Sequence, residues 1–460
     1  MKRIGYLFLA ALMVLSIIPF SAFPVFAEKD SQGLTYRLSS DETYYIVSGC
    51  DFSATSFVIP ATFNGLPVKE IEKWAVGVRN LEKIDVDENS KYFASVDGVL
   101  FNKNKTLLIR YPCKKESGVY KIPDSVKTIG VEAFANCFGL TSIEIPKSVK
   151  TINDAAFLSC IDLEKITVDK KNKYFTSVNG VLFNKNKTIL RCYPIGKEGT
   201  VYNIPNGVTA IGSHAFYGCK SLTSIEIPNS VTNIGEWSFS WCEGVTNFEI
   251  PNSVTNIGGS AFSGCTGLTS IVIPNSVKSV GFFVFSDCTS LTSIAISDGV
   301  TTIGSHAFGW CESLTYIELP DSVTSIGERA FTYCENLTSV VIPNGVTTMG
   351  TAVFEEWSDK QTVYFEATSA SDDWDRHWKS FCGAKIVWDY EPDSTFVKGD
   401  VNGNGKVDAN DYALAKRHCL KTFTSYDKML KRADLNGNGK LEASEYAMIK
   451  RHVLGTFEIK

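Results

Sequence analysis

One pattern of apolar and polar positions repeats over most of the chain. In the copy at residues 250–273, Leu268, Ile271 and Ile273 can point inward from a short bent strand, and the residues expected to face outward are Thr269, Ser270 and Val272. Ile-Pro or a close variant begins at residues 122, 145, 204, 227, 250, 273, 296, 319 and 342, so the spacing is regular apart from one longer gap between 145 and 204. A pattern with this short, fixed period predicts short parallel strands stacked as a solenoid.

Other positions of the unit end the strand and turn the chain. Pro274 has no backbone N–H and is expected to end the strand ladder, and Gly258 allows a tight bend. Phe262 and Cys265 are expected to close the rung from the other side, where too few residues remain for a long helix. Phe recurs at residues 134, 157, 216, 239, 262, 285, 308, 331 and 354, and Cys at residues 137, 160, 219, 242, 265, 288, 311 and 334.

The eight recurring cysteines admit two interpretations. Equal positions on stacked strands lie about 4.8 Å apart, so the thiols would form a ladder of small buried side chains. Metal binding or disulfides are the alternative, but the sequence contains no Cys-x-x-Cys pair. We therefore predict the ladder. Five cysteines lie outside it, and because the total of 13 is odd, at least one is unpaired or crosslinks chains. These five are Cys50, Cys113, Cys192, Cys382 and Cys419.

Both ends of the repeat array carry sequences that predict caps. Residues 28–70 contain an alternating apolar stretch around a Ser-Asp-Glu turn, which predicts a hairpin, and Phe57 to Pro60 resemble a first, degenerate repeat. Repeats then occupy residues 71–354. Residues 355–390 break the pattern and are rich in tryptophan, so we expect them to cover the last rung. The group Asp372, Asp373, Asp375 and His377 has metal-capable side chains, but we expect a solvated turn there.

One insertion occurs twice, at about residues 85–120 and 167–202. The two copies align throughout, and a dipeptide typical of hairpin turns occupies the same place in each, Asp97-Gly98 in the first and Asn179-Gly180 in the second. Each insert is therefore predicted to form a small β-excursion from one edge. Decoration of the solenoid is the expected role, with ligand binding as the alternative.

The unit Ile-Pro-x-x-Val-x-x-Ile-Gly-x-x-Ala-Phe-x-x-Cys-x-x-Leu resembles the BspA-like leucine-rich repeat family over residues 34–390. The resemblance implies an α/β fold class, with a leucine-rich repeat solenoid of short parallel strands capped at both ends. Members are mostly secreted or surface proteins of bacteria that bind other proteins or cells. Ligand contacts vary between members, so only scaffold positions can be carried over.

Candidate contacts of the solenoid follow from the expected geometry. The outward strand positions include an acidic series with apolar residues between its members: Glu144, Glu226, Glu249, Glu318, Val272, Ala295 and Val341. The residue before the repeated Cys is aromatic at Trp241, Trp310 and Tyr333. Such a row could stack on sugar rings or anchor a protein partner. Packing against neighbouring turns is the alternative.

After a linker at residues 391–397, the chain contains two matched acidic loops, which begin at Asp400 and Asp434. Calcium prefers six to eight oxygen ligands, supplied in a twelve-residue loop by positions 1, 3, 5, 7, 9 and 12, with Gly at position 6. The first loop places there Asp400, Asn402, Asn404, the Lys406 carbonyl, Asp408 and Asp411. The second places Asp434, Asn436, Asn438, the Lys440 carbonyl, Glu442 and Glu445. Two calcium ions are predicted, because two chance Asn-Gly turns would not match so closely.

Pro392 and Gly399 precede the first loop, so no helix enters it, unlike an ordinary EF-hand. Two loop–helix units of this kind resemble a type I dockerin, here residues 398–460, which implies a small all-α module. Glu445 departs from the Asp that is usual there. The resemblance implies a cohesin partner on the scaffoldin of a cellulosome-like complex involved in polysaccharide catabolism. The implied cohesin contacts are Ala409, Asn410, Lys416, Arg417, Ala443, Ser444, Lys450 and Arg451.

Composition narrows the function further. A formal net charge of −5 argues against nucleic-acid binding. Residues 1–27 are predicted to be a secretory signal, with Lys2 and Arg3 before an apolar run and a cut after Ala27; an uncleaved anchor is the alternative. No second apolar run of about 20 residues follows, so no further membrane span is expected. The sequence therefore predicts a secreted, extracellular protein that is attached to a scaffold.

No catalytic set was found: the sequence has no Gly-x-Ser-x-Gly and no His-Glu-x-x-His. We therefore predict a non-catalytic binding protein whose dockerin binds cohesin in a calcium-dependent way, while the solenoid recognises a protein or a cell surface. Binding of polysaccharide is the first alternative. An unrecognised polysaccharide-processing enzyme is the second, since dockerins usually carry enzymes.

Overall fold

The computed structural model describes residues 28–115 and 118–390, and in these residues it contains strands and turns but no helix. The predicted signal peptide, the linker and the dockerin lie outside the described residues. The first ten strands are β1 (Glu28–Lys29), β2 (Leu34–Leu38), β3 (Tyr45–Cys50), β4 (Ser56–Ile59), β5 (Thr62–Phe63), β6 (Leu66–Ile71), β7 (Lys83–Val86), β8 (Phe93–Val96), β9 (Val99–Asn102) and β10 (Leu107–Arg110).

The repeat array continues with short strands, none longer than those of the inserts. They are β11 (Val119–Lys121), β12 (Thr128–Ile129), β13 (Ser142–Ile145), β14 (Thr151–Ile152), β15 (Lys165–Val168), β16 (Phe175–Val178), β17 (Val181–Asn184), β18 (Ile189–Cys192), β19 (Val201–Asn203), β20 (Ala210–Ile211), β21 (Ser224–Glu226) and β22 (Asn233–Ile234). The remainder are β23 (Asn247–Phe248), β24 (Asn256–Ile257), β25 (Ser270–Ile273), β26 (Ser279–Val280), β27 (Ser293–Ile296), β28 (Thr302–Ile303), β29 (Tyr316–Ile317), β30 (Ser325–Ile326), β31 (Ser339–Ile342), β32 (Thr348–Met349), β33 (Thr362–Phe365) and β34 (Lys385–Val387).

Each regular rung contributes one strand to each of two parallel ladders. In the first ladder β25 pairs with β27 so that Ser270 lies opposite Ser293 and Ile271 opposite Ile294, a shift of one repeat. In the second ladder β26, β28, β30 and β32 pair in the same way. Ile271 and Ile273 are buried in the core, as the apolar pattern predicts. The chain is therefore a β-solenoid in which each turn is one sequence repeat.

The α/β class predicted for the solenoid is not what the described residues form, because each rung lacks a helix on its return side. The local backbone explains this. Ser260 has φ +56° and Gly264 has φ +71°, and equivalent residues of the other rungs also adopt left-handed values. A residue with positive φ cannot continue a right-handed helix, so the return segment folds as successive turns.

The repeated phenylalanines form one stack through the core. Rings on successive rungs lie 5.2 Å apart for Phe216 and Phe239 and 5.9 Å apart for Phe285 and Phe308, with near-parallel planes. Tyr193 occupies the same position in an insert-bearing rung and stacks on Phe216 at 5.3 Å. Each of these rings removes a large apolar area from water, and the stacking itself adds about 0.5–1.5 kcal/mol per pair.

The eight repeated cysteines are free, and all are buried, as predicted. Their thiols have a polar role that the sequence interpretation missed. Cys265 Sγ donates to the Phe239 carbonyl at 3.1 Å, and Cys288 Sγ donates to the Phe262 carbonyl at 3.2 Å. Burial raises the pKa of the Cys265 thiol to about 12, so the proton needed for this bond is retained. The ladder therefore links each rung to the one before it.

Gly258 is required for a reason other than a tight bend. Its backbone passes so close to the preceding rung that a Cβ atom would lie 2.4 Å from the Glu236 nitrogen. No side chain fits at that distance. The glycine therefore sets how closely two rungs can approach. A Cβ atom at Gly327 or Gly350 would likewise lie 2.4 Å from a backbone nitrogen of the preceding rung.

The two ends of the array are closed by different means. At the N-terminus β2 and β3 form the predicted antiparallel hairpin, and Tyr36 stacks on Phe63 at 4.0 Å. At the C-terminus Trp374 and Trp378 are buried over the last rung, but Phe381 is 73% exposed and does not join them. Trp357 takes the place of the repeated Cys, and its Nε1 donates to the Phe331 carbonyl at 2.9 Å.

The inserts are not surface decorations, and the expectation of an excursion from one edge is wrong in this respect. Each forms an antiparallel meander, β8–β9–β10 or β16–β17–β18, whose last strand joins the second ladder. In β9, Leu100 packs in one core cluster, whereas Val99 and Phe101 pack in the next. β17 divides its residues between two clusters in the same way. Both central strands carry Val-Leu-Phe because they are buried on both faces.

The thiol-to-carbonyl bonds give a first prediction. Cys265→Ala removes both the sulfur and the hydrogen bond to the Phe239 carbonyl, so we expect it to lower the free energy of unfolding by about 1–3 kcal/mol. Cys265→Ser keeps a donor and should cost less. Urea unfolding of both variants measures this, and a serine variant less stable than the alanine variant would contradict the hydrogen-bonding role.

Candidate functional site

The outward face of the first ladder carries the acidic series expected from the sequence. Glu144, Glu226 and Glu249 are exposed, whereas Glu318 is half-buried and accepts a hydrogen bond from Tyr316 Oη at 3.1 Å. Glu226 and Glu249 occupy equal positions on successive rungs. This part of the surface is suited to cationic or hydrogen-bond-donating partners.

Val272 and Ala295 were expected to be exposed contacts on the same face, and this is wrong. Each is only 6% exposed. Neither belongs to the main core cluster, which contains Ile271 and Ile273 from the other side of the strand. The two small side chains lie between rungs that carry the longer Glu249 and Glu318. Their side chains are therefore sunk between these acidic rungs and form the floor of this part of the face.

The aromatic residues before the repeated cysteines do not form one row. Trp310 and Tyr333 stack at 5.7 Å with planes 9° apart. His306 stacks on the other side of Trp310 at 5.9 Å, and Phe283 covers His306 at 4.4 Å. The Trp310 ring is thus in parallel contact with two neighbouring rings and is half-buried.

Trp241 lies three repeats before Trp310 and has a different neighbour. It packs on Gly264 of the next rung, where a Cβ atom would meet the indole ring at 2.6 Å. The backbone of Trp241 is left-handed, with φ +61°, which directs the ring along the stack of turns. Sugar binding by Trp241, Trp310 and Tyr333 stays a prediction, and their packing against adjacent turns is what the structure contains.

Two histidines lie in the same layer of turns. His306 is 7% exposed, and neither ring nitrogen has a hydrogen-bond partner among the described residues. Burial lowers the pKa of His306 to about 4, and burial lowers the pKa of His214 to about 4 as well. Both are therefore neutral at neutral pH. They contribute as flat stacking groups and not as charges.

A groove along the second ladder was not found by the sequence interpretation. It has a volume of about 680 Å³ and spans the rungs from Ser213 to Phe282. Phe282 is 47% exposed, and its ring lies over Gly259, where a Cβ atom would be 2.2 Å away. The sequence feature that could have revealed this groove is Gly259 followed one repeat later by Phe282. The same repeat position carries Ser213 and Glu236 in two other rungs.

Polar side chains line the rest of the groove. Asn256 Nδ2 donates to Asn233 Oδ1 at 2.7 Å, so the two amides form a short ladder across adjacent rungs. Glu236 and Lys278 also border the groove. An exposed aromatic face beside amides and charged groups can bind ligands that present both C–H faces and hydroxyl groups.

Residues 372–377 carry the metal-capable side chains named in the sequence analysis. In the part of the chain that the structure describes, no group of three or more His, Cys, Asp or Glu side chains could hold a metal ion. Asp375 Oδ1 instead accepts a hydrogen bond from the His377 backbone at 2.7 Å, as in a solvated turn. The predicted calcium ligands and cohesin contacts of residues 400–451 lie outside the described residues.

The fold and these surfaces define a repeat protein of the β-solenoid class. Comparison with family models assigns it further: the chain belongs to the BspA type leucine rich repeat family, with six copies matched over residues 111–192, 197–281 and 257–371. Residues 398–454 match the dockerin type I domain. The comparisons thus find two non-catalytic modules and no catalytic domain. No curated protein matches the chain.

A solved structure supports the solenoid fold. This leucine-rich repeat protein from Eubacterium ventriosum has 22% identity and a TM-score of 0.55, with 82% of this chain and 98% of that chain covered. A second, from Bacteroides ovatus, has 23% identity and a TM-score of 0.37, with 77% and 98% covered. The pneumococcal vaccine antigen PcpA has 17% identity and a TM-score of 0.40, with 80% and 99% covered.

Among the residues that the structure describes, no helix has the length and apolar character needed to cross a bilayer.

The buried His306 gives a prediction of pH dependence. Its folded pKa of about 4 is below the ordinary value of 6.5, so between these values the unfolded chain binds more protons. Stability contributed by the neutral ring is complete above pH 7 and is lost as the pH falls towards 4. Between pH 7 and pH 4 the free energy of unfolding of the His306→Phe variant should fall by on the order of 2–3 kcal/mol less than that of the parent protein.

Thermal unfolding from pH 7.5 to 4 provides the measurement. Trp310→Phe is the matched control, because it alters the same aromatic stack without removing a titrating group. An unchanged pH slope in His306→Phe would show that the ring does not titrate as its burial requires.

Proposed function

We propose that this protein is a secreted, non-catalytic binding protein that is anchored by its dockerin and presents its solenoid to a second partner. The observation that carries the proposal is the match of residues 398–454 to a dockerin type I domain on a chain of leucine-rich repeats. A dockerin implies a cohesin partner and an extracellular place on a scaffold.

Calcium is the proposed folding ligand of the dockerin. Each acidic loop offers oxygen atoms at the positions that calcium requires, and two calcium ions would neutralise the clustered carboxylates. Metal binding then supplies folding energy to a module too small to bury a large core. The helix after each loop would present its exposed side to the cohesin.

Four cationic residues of the two helices are proposed as cohesin contacts. Lys416 and Arg417 recur as Lys450 and Arg451 in the second copy, so the two copies would present nearly equal surfaces to a partner. Cations favour an acidic cohesin rim and contribute to partner choice. The neighbouring loop residues Ala409, Asn410, Ala443 and Ser444 complete the proposed interface.

The outward face of the first ladder is the proposed surface for a protein or cell-surface partner. Its acidic side chains Glu226, Glu249 and Glu318 surround the small floor formed by Val272 and Ala295. An apolar floor with charged sides is a common arrangement in protein interfaces. A partner with a projecting apolar side chain and cationic neighbours would fit it.

Removal of calcium tests the docking part. With EDTA we expect loss of helical circular dichroism and of binding to a type I cohesin, because the loops cannot close around uncompensated carboxylates. Isothermal titration with the cohesin measures binding. The matched control changes Lys416, Arg417, Lys450 and Arg451 to Ala: this variant should fold with calcium but bind weakly. Binding that persists in EDTA would contradict the proposal.

Polysaccharide binding is a second candidate, favoured by the Phe282 groove. A sugar ring can stack on the half-exposed Phe282 face while Asn233 and Asn256 exchange hydrogen bonds with its hydroxyl groups. The groove runs across successive rungs, so an extended glycan could follow it. This surface is separate from the acidic face of the first ladder.

Affinity electrophoresis in soluble polysaccharides tests this candidate. Phe282→Ala should reduce retardation about five-fold or more, because the stacking platform is lost. Trp310→Ala should have little effect, since that ring already stacks on His306 and Tyr333. Retardation lost on Trp310→Ala but kept in Phe282→Ala would place the sugar at the aromatic stack instead.

A further inference from the structure

A buried arginine interrupts the regular turns beside the first insert. Arg110 is 5% exposed and stands in the position that carries Ala133, Ala215 or Ala261 in other rungs. Its Nη1 donates to the Glu132 carbonyl at 2.7 Å, and its Nη2 donates to the Ala135 carbonyl at 2.9 Å. Nε has no hydrogen-bond partner within the described ranges. A guanidinium charge this deep needs a nearby anion.

Cys113 is the group placed to compensate that charge. Its Sγ lies 3.2 Å from Arg110 Nη2, and the residue is fully buried. The pKa of the Cys113 thiol is lowered to about 6, first by its hydrogen bond with the Cys137 thiol and then by the Arg110 charge. Burial opposes this shift but does not outweigh it.

The other ionisable groups near Arg110 are poorer candidates for its counterion. Glu132 is buried and pairs with Lys73 at 3.1 Å, and burial raises the pKa of its carboxyl group. The Arg110 charge also favours the Cys50 thiolate, but burial has the larger effect and raises the pKa of that thiol to about 11. Of these three groups, Cys113 is the one whose side chain contacts the guanidinium directly and whose pKa is lowered.

Cys137 is close enough to Cys113 for covalent pairing. The Phe138 backbone donates to the Cys113 carbonyl at 2.9 Å, so the two segments run as adjacent chains. Adjacent chains in such ladders are about 4.8 Å apart, inside the Cα separation of roughly 4.4–6.8 Å that disulfides use. The two thiols are near enough to shift each other's pKa, although Cys113 Sγ lies 3.4 Å from the Ala135 carbonyl and Cys137 Sγ lies 3.8 Å from the Tyr111 carbonyl.

The later ladder cysteines have no second thiol like Cys113 beside them. Like Cys137, which donates to the Tyr111 carbonyl at 3.8 Å, Cys242 and Cys265 each donate to an aromatic residue's carbonyl of the preceding rung, at 3.2 Å and 3.1 Å. Burial raises the pKa of the Cys242 and Cys265 thiols. They are held as protonated donors and not as nucleophiles.

The second insert provides an internal comparison. When the two copies are aligned, Cys192 replaces Arg110 and Ile195 replaces Cys113, while Cys219 stands in the place of Cys137. The arginine and the extra thiol are therefore absent together from an otherwise matched copy. Nothing in the general repeat requires them.

We infer that Cys113 and Cys137 are an oxidisable pair that forms an intramolecular disulfide, with Arg110 positioning and activating the Cys113 thiolate. The bond would tie the chain that leaves the first insert to the following rung. This is a modification of the solenoid and is independent of cohesin binding.

The oxidant is a low-molecular-weight disulfide, RSSR. The Cys113 thiolate attacks one sulfur of RSSR, forming a mixed disulfide and releasing RS⁻, which takes a proton. Cys137 then loses its proton to solvent, and its thiolate attacks Cys113 Sγ to form the internal disulfide and release the second RS⁻. Two protein thiols are oxidised, and one RSSR is reduced to two RSH. Because both thiols are buried, the reagent reaches them only during transient local opening.

Incubation of the full chain with oxidised glutathione tests the inference. Remaining thiols are blocked with N-ethylmaleimide under denaturing conditions, and peptides are mapped by mass spectrometry without reduction. We expect a crosslinked peptide pair that contains Cys113 and Cys137, with Cys242, Cys265 and Cys288 alkylated. Recovery of Cys113 and Cys137 both in alkylated form, or Cys137 joined to Cys160, would overturn the inference.

Two variants test the role of Arg110. In Arg110→Met the pKa of the Cys113 thiol should rise, because the guanidinium charge that favours the thiolate is removed, so oxidation at pH 7 should be slower than in the parent protein. Its rate should continue to rise above the pH at which the rate of the parent protein levels off. A shared pH profile would contradict the activating role.

If Arg110→Met does not fold, the second insert serves instead. Cys192→Arg combined with Ile195→Cys transfers the arrangement to the matched copy. A new crosslink to Cys219 is expected there, and the single change Ile195→Cys should form it more slowly at pH 7. Absence of the crosslink in the double variant would count against the proposed geometry.

Discussion

The structure depends on one contact repeated along the solenoid: the carbonyl of a core aromatic residue accepts a hydrogen bond from a side chain of the next rung. In the regular rungs the donor is a buried thiol, as in Cys288 to Phe262 at 3.2 Å. At the C-terminal end the donor is the Trp357 indole, which keeps the bond at 2.9 Å where the cysteine is missing. The replacement indicates that the position requires a buried donor, and not only a small apolar side chain. Phenylalanine stacking and the two strand ladders follow from the same spacing between rungs.

The inserts show how the same spacing accommodates extra chain. Strands β9 and β17 pass through the interior and bury alternate residues in different core clusters. They therefore divide the core into compartments without breaking the second ladder. Where the first insert returns to the turns, Arg110 and Cys113 enter positions that are small or apolar in other rungs, and a charged group is buried beside a thiol. The two copies differ most at this junction, although their strands are alike.

The candidate binding surfaces of the solenoid consist of residues that do not repeat. The scaffold positions Leu, Ile, Phe and Cys face inward and offer nothing to a ligand. The acidic face, the floor formed by Val272 and Ala295, and Phe282 above Gly259 are each found on only a few rungs. A dockerin at the C-terminal end of such a solenoid would hold these surfaces at a scaffold, where a partner can be captured without any chemistry being done on it.

The sequence by itself determined the period, the inward positions and the cysteine ladder, because a strictly periodic repeat leaves one way to bury the same apolar positions on every rung. It also indicated the N-terminal hairpin cap and the C-terminal dockerin. It also located the hairpin turns of the inserts. Only the tertiary structure decided that these inserts are internal, that Val272 is buried, and that Trp241 packs on Gly264 whereas Trp310 stacks on Tyr333. These contacts depend on how neighbouring rungs pack. The carbonyl groups that accept hydrogen bonds from the thiols could not be predicted from the sequence either. A side chain's hydrogen-bond acceptor on another rung lies 26 residues away along the chain, and only folding brings it within 3.2 Å.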